Sequence, residues 1–193
     1  APLTVQPCLG YRRMPVNYAD VLLRCGFADA HDLAARLLAW QGIFALARPE
    51  ALVADHAPTA MLAARLSGIA CLAVGNGFAI PPTQYPWPSI RPWEAIPVQD
   101  LIAAEQRLDQ VTEAAQRALR HAVPVRMREL FGATNEVLDT FAELDHHGAR
   151  PDVRYLGPVV SVPDSLPVNW QHRTCAKVLA YLRPEVPGFA LIL

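Results

Sequence analysis

The sequence predicts an α/β fold: a Rossmann-like, mostly parallel sheet with helices on both faces. Three observations carry this. A short apolar run around Val53 stops at Asp55 and His56, a helix-length segment from Pro58 to Gly68 follows, and a second apolar run extends from Ile69 to Val74. Strand, helix and strand in immediate succession make a βαβ unit, which belongs in a parallel sheet with a right-handed crossover. In addition an amphipathic stretch, Ala30 to Arg48, stops at Pro49 just before the first run and so continues the alternation of helix and strand. Parallel sheets of this kind bind ligands in the crevice beyond the carboxyl ends of their strands. Asp55, His56, Asn76, Gly77 and Phe78 all fall at that edge.

Each element has its own local signals. From Ala30 to Arg48, Leu33, Leu37, Trp40, Phe44 and Ala47 recur at steps of four, three, four and three, which places them on one helical face. Asp29 or Asp32 can cap the amino end, and Pro49 stops the helix. Pro58 suits the first turn of the next helix and Gly68 its exit. The two strands on either side are short and apolar, as buried strands are.

Between Gly75 and Pro97 the chain is dense in proline, with Phe78, Tyr85, Trp87 and Trp93 among the prolines. Such a segment is too aromatic for a disordered linker and too rich in proline for a regular element, so it is expected to be a packed functional loop. Asp100 to Ala122 then carries Leu101, Ala104, Leu108, Val111, Ala115, Ala118 and Ala122 on one stripe, with Glu113 and Arg117 spaced for an ion pair outside it. That predicts a long helix ended by Pro124. Met127 to Phe131 reads as a short helical turn, and Asn135 to Phe141 is ambiguous between helix and strand.

Arg154 to Val160 reads as a strand, after which a polar, proline-containing stretch has the character of a linker. Lys177 to Leu182 then begins another apolar strand. The expected organisation is a Rossmann-like domain over residues 1–160, an interdomain linker over 161–175, and the start of a second domain over 176–193.

Composition narrows the partners. With 17 basic against 18 acidic residues the chain has no long-range field to draw it onto nucleic acid, which is not expected as a partner. Although 52% of the residues are hydrophobic, charges and prolines interrupt every run before it nears the roughly 18 residues that cross a membrane. The first residues lack the basic start and long apolar core of a secretory signal. Cys8, Cys25, Cys71 and Cys175 are far apart and form no CxxC pair, so neither a zinc site nor a redox motif is indicated, and no metal is expected. Reduced thiols fit a cytoplasmic location.

Two motifs invite readings that the residues do not support. Gly75-Asn76-Gly77 begins like a dinucleotide fingerprint, but the third glycine is missing and Pro81-Pro82 stands where a helix should open. Asp145-His146-His147 lacks a partner cluster of His and Asp and reads instead as a solvated turn before Gly148.

Four segments, in this order, resemble one family. They are Leu52 to Gly75 with its strand-end aspartate; Gly77-Phe78 leading to Pro81-Pro82; the run from Thr140 through Glu143-Leu144-Asp145 and Arg150 to Tyr155-Leu156-Gly157-Pro158; and Lys177 to Leu182. Together they span roughly residues 30 to 190 and are similar to bacterial glycosyltransferases of the two-Rossmann-domain GT-B architecture, the family of macrolide and UDP-glycosyltransferase-like enzymes. The resemblance implies transfer of a sugar from a nucleotide-sugar donor to a small, apolar acceptor hydroxyl, with residues 1–160 as most of the acceptor domain. It implies no resident cofactor, the nucleotide sugar being a co-substrate held mainly by the donor domain.

The departures from the family pattern matter as well. Nothing before Ala30 matches the family's first strand and its Gly-containing loop, which commonly supplies a catalytic base His, and no donor-domain signature follows the last residues. The expectation is a chain lacking two βα units of roughly 60 residues, inactive by itself. In the resembling enzymes an Asp orients and charges the base, and Asp55 matches that Asp. The residues alone equally allow Asp55 to cap the following helix. His56 is either a base in its own right, the chemistry to which an imidazole is suited, or a structural or pocket-lining imidazole. Asn76, Gly77 and Phe78 either touch the acceptor or form a tight strand exit in which the glycines serve geometry. A non-catalytic Rossmann-like module that binds a small molecule is the alternative to the enzyme.

Overall fold

Asn17 begins a helix that the periodicity reading passed over. In the computed structural model, which describes residues 14–132 and 136–158, its Oδ1 accepts from the Asp20 amide at 3.1 Å. Asp20 Oδ2 in turn accepts from the Val16 amide at 3.1 Å, a variant of the capping box. The result is α1 (Tyr18–Arg24), whose Tyr18, Leu22 and Leu23 are buried. Asn17 does more than cap, since its Nδ2 donates to the Leu101 carbonyl at 3.1 Å and to the Trp87 carbonyl at 3.4 Å. The spacing of Asn17 and Asp20 was the local signal; the helix is too short for its periodicity to stand out.

The other helices form where the sequence expects them. Helix α2 (Ala30–Ala47) is capped by Asp29, whose Oδ1 accepts from the Asp32 amide at 2.8 Å. Leu33, Leu37 and Phe44 are buried and Trp40 half-buried, while Ala47, expected on that face, is exposed in the last turn. Helix α3 (Pro58–Leu66) starts on its proline between strands β1 (Ala51–Asp55) and β2 (Ala70–Gly75). Helix α4 (Val98–Ala118) ends earlier than Pro124 requires. Arg120 takes a left-handed φ of +63°, and the Gln116 carboxamide exchanges two 2.8 Å hydrogen bonds with the backbone of Val125, so the chain has already turned. The expected Glu113–Arg117 pair is present on its outer side.

Met127–Leu130 forms a short 3-10 turn, and the ambiguous segment after it resolves as strand β3 (Glu136–Leu138). Strand β4 (Arg154–Tyr155) completes a sheet of order β1-β2-β3-β4 in which every pair is parallel. In its register Asp55 lies beside Val74, Ala73 beside Glu136, and Leu138 beside Tyr155. The α/β class with an all-parallel sheet and packed helices is therefore realised.

The distribution of helices differs from the expectation. Helix α3 packs on β1 and β2, α2 packs on α3, and α4 packs on α1 and α2. Leu52, Ala54, Cys71, Ala73 and Leu138 face this layer, whereas Val53 on the opposite face is 67% exposed and Leu72 36%. Among the described residues the helices thus cover one face. The cause is topological: the strand order steps in one direction, and right-handed crossovers then place α3 and α4 on the same side. A short apolar run does not reveal whether one or both of its faces are buried.

The proline-rich loop between β2 and α4 is packed, as expected. Ile80 and Trp87 are fully buried in it. Glu105 on α4 accepts from the Trp87 amide and pairs with Arg128, whose guanidinium lies 4.2 Å from the centre of the Tyr85 ring. Arg91 donates to the Pro15 carbonyl at 2.6 Å, and the Ile90 amide to the Val16 carbonyl at 3.3 Å. The loop's other aromatic rings stay open to solvent, Phe78 and Tyr85 in part and Trp93 at 78% exposure. All described residues belong to one unit of the chain. The expected linker over 161–175 and the strand from Lys177 to Leu182 lie outside them. No helix among the described residues is long and apolar enough to cross a membrane.

Candidate functional site at the carboxyl edge of the sheet

The ends of β1 and β2 bring the predicted residues to one edge. Asp55 is the last residue of β1; it is exposed and its carboxylate makes no hydrogen bond or ion pair among the described residues. It does not cap α3, whose N-cap is Ala57 with no side-chain hydrogen bond. His56 follows with a left-handed φ of +43°, a conformation that costs an L-residue roughly 1–2 kcal/mol. The kink turns the imidazole so that its centre lies 6.3 Å from the buried Tyr18 ring and 5.9 Å from Phe78, edge-on to the latter. Phe78 is 38% exposed. An acid, an imidazole and an apolar ring therefore share the open edge.

Asn76 and Gly77 have local work. Asn76 Oδ1 accepts from the Phe78 amide at 3.0 Å and the Ala79 amide at 3.2 Å, an Asx turn that aims Phe78. Gly75 enters the turn at φ +156°, where a Cβ would stand 3.0 Å from the Ala79 Cβ. A Cβ at Gly77 would collide with the Asp145 carboxylate. The glycines here serve close approach of backbone to backbone and to a buried charge, which is one of the two alternatives that the sequence leaves open.

Asp145 overturns the reading of its segment as a solvated turn. It is buried, and its carboxylate accepts from the Tyr155 hydroxyl at 2.8 Å, from Arg150 Nε at 2.8 Å and from the His147 amide at 3.1 Å. Burial pushes this carboxyl up, but the bonds from His147, Tyr155 and Arg150 outweigh it and hold it below the ordinary carboxylate range. Arg150 also donates to the Ile80 carbonyl at 3.0 Å, tying the turn after β3 to the loop after β2. His146 and His147 are half-buried on this frame with ring centres 3.9 Å apart, and His146 lies 6.5 Å from Phe78.

Burial is the main cause that lowers both imidazoles, assisted by the Arg150 charge; the His147 ring, beside His146, falls to about 4. Both are neutral at pH 7. His146 Nε2 and Arg150 Nη2 are buried without a hydrogen-bond partner among the described residues. The rings of Tyr18, His56, Phe78, His146 and His147 thus form one row across the carboxyl edge, from α1 past β1 and β2 to the turn after β3.

The sequence reading missed Asp145, His147, Arg150 and Tyr155 as a unit. The available signal was an acid five residues before an Arg and ten before a Tyr, which becomes meaningful only once β3 and β4 are paired. One group with metal-ligand chemistry, Asp29, His31 and Asp32, is fully exposed, and its Asp29 carboxylate is the α2 cap. No family model matches this sequence, and comparison with curated proteins and with solved structures returned no match.

Proposed function

We propose that this carboxyl edge holds a small apolar acceptor hydroxyl for glycosyl transfer, the chain supplying the acceptor side of a cytoplasmic, nucleotide-sugar-dependent enzyme of GT-B type. One observation carries the reading: a strand-end acid, Asp55, released from any capping role, stands exposed beside the edge-on pair His56 and Phe78. Transfer to a hydroxyl needs a base for its proton and a surface that aligns the acceptor. Phe78 offers the apolar surface. Asp55 orients and charges a base His contributed from outside these residues, and the nucleotide sugar sits mainly on a donor domain.

A non-catalytic binding module is the second reading. It is favoured by Asp55 having no imidazole hydrogen-bonded to it among the described residues, and by Asn76 and Gly77 being committed to the turn itself. The deciding experiment is Asp55→Asn in the enzyme carrying both domains. A dyad role lowers kcat by about a hundredfold or more with an unchanged thermal midpoint. Unchanged turnover leaves only the binding module standing.

A further inference from the structure

Between the proline-rich loop and the turn after β3 lies a cavity of about 320 Å³. None of Asp55, His56, Asn76, Gly77 or Phe78 lines it. Its walls include Pro82, Pro88 and Pro92, with Ile96 beside them and His146 and His147 on the far side. We infer that this cavity is a binding site for a small, neutral, hydroxyl-bearing ring compound, with His147 as its polar contact. The inference stands whether or not the edge site carries out glycosyl transfer.

Size comes first. The volume is at the lower end of the roughly 300–1,000 Å³ typical of small-molecule pockets, which suits a molecule of one or two rings. The proline walls present CH-rich surface and no backbone N–H, so they favour apolar rings over polar chains. Of the polar groups on the other walls, Ser89 Oγ accepts from the Arg91 amide at 3.0 Å and donates to its carbonyl at 3.2 Å and Glu94 pairs with Arg91, while the Gln84 carboxamide stands exposed at the solvent side. The His147 ring is only half-buried and has no hydrogen-bond partner among the described residues, so it can meet a ligand.

Charge sets the ligand class. Among the described residues no Lys or Arg lines the cavity, and its one carboxylate, Glu94, is already paired with Arg91, so a phosphate or carboxylate would find no free cation there. Burial and the nearby Arg150 charge keep the two imidazoles neutral, so at pH 7 they supply no cation either. A neutral imidazole both donates and accepts, which matches a hydroxyl. The walls are preformed: the Trp87 amide and carbonyl are held by Glu105 and Asn17, Arg91 by Pro15, and the His147 amide by Asp145, which Arg150 fixes in turn. Preorganisation of this kind removes part of the ordering cost of binding.

The test uses 1-naphthol, naphthalene and 1-naphthyl phosphate, titrated into the 193-residue chain at pH 7.5 by calorimetry and by shifts of the imidazole CH resonances. 1-Naphthol is expected to bind saturably and shift the His147 resonances, with 1-naphthyl phosphate at least about tenfold weaker. His147→Phe is expected to weaken 1-naphthol about fivefold, the effect of one hydrogen bond, and to leave naphthalene unchanged. Ala95→Trp, at an exposed position on the rim, fills the cavity without touching the core and should abolish binding of all three at an unchanged thermal midpoint. It keeps the test decisive should His147→Phe misfold. The proposal is overturned by absence of saturable 1-naphthol binding, by binding that survives Ala95→Trp, or by the phosphate binding as tightly as the alcohol. Binding confined to resonances of His56 and Phe78 likewise overturns it, while leaving the edge-site reading intact.

Discussion

The Tyr155 hydroxyl donates to Asp145 Oδ2 at 2.8 Å, so the last described strand of the sheet fixes the turn that follows the strand before it. Because Arg150 shares the same oxygen and reaches the Ile80 carbonyl, three carboxyl-edge segments depend on one buried carboxylate. Tyr155→Phe should cost about 1 kcal/mol, the worth of one hydrogen bond. Asp145→Ala should cost about 3 kcal/mol, because it leaves the largely buried Arg150 guanidinium without its counter-charge. Urea unfolding of the two variants at pH 7.5 measures the difference.

Gly77 is coupled to the same carboxylate. Gly77→Ala places a methyl group where the Asp145 carboxylate stands, and neither the backbone of the Asx turn nor the bonded acid is free to move aside. Overpacking of this kind costs roughly 1–3 kcal/mol. In the Gly77→Ala, Asp145→Ala double variant the two losses should fall short of additive, and thermal midpoints of the cycle check that.

His147 makes stability depend on pH. Its folded value of about 4 lies below the unfolded value near 6.5, so the unfolded chain binds more protons between them. The stabilisation is full above pH 6.5 and is lost as pH falls toward 4. Solvent reaches part of the ring, which discounts the effect to about 1 kcal/mol. His146 shifts in the same direction and adds to it, while Asp145, held below the ordinary carboxylate range, stays charged. Unfolding midpoints at pH 7.5 and 5.0 should differ less in His147→Gln than in the parent.

Glu105 anchors the proline-rich loop from below. It is buried, accepts from the Trp87 amide and pairs with Arg128, which is itself largely buried. Glu105→Ala leaves both partners unsatisfied and should cost about 3 kcal/mol. Since Trp87 packs edge-on to Tyr18 at 5.3 Å, the loss should also raise the accessibility of Trp87 to an acrylamide quencher.

Asp55 behaves in the opposite way. Exposed and with no side-chain partner among the described residues, it should tolerate Asp55→Ala within about 0.5 kcal/mol of the parent, whereas a helix cap would cost about 1 kcal/mol. A thermal midpoint within about 2 °C of the parent separates the two, since 1 kcal/mol corresponds to about 2–4 °C at this chain length.

What could be read from the amino acids alone follows a clear physical line. Helices α2 and α4, strands β1 and β2 and the Pro58 helix start are encoded within a window of a few turns, because side-chain periodicity and capping act between near neighbours. The same locality explains why Asp55, His56 and Phe78 could be assigned to the carboxyl edge: strand ends are local, and a parallel sheet gathers them. Helix α1 was legible only through Asn17 and Asp20, and β3, three residues long, had too little sequence to declare its period.

The tertiary structure decided everything that joins distant residues. Which face of the sheet is covered depends on the order of strands, which no single window contains. Asp145 looked solvated because its partners, Tyr155 across a strand pair and Gly77 in another loop, acquire meaning only when β2, β3 and β4 are in register. The His146 and His147 rings owe their neutrality to that burial. Pairing of residues some 70 positions apart is set by packing over the whole sheet, so local sequence could place the acid at the edge but not the buried clamp beside it.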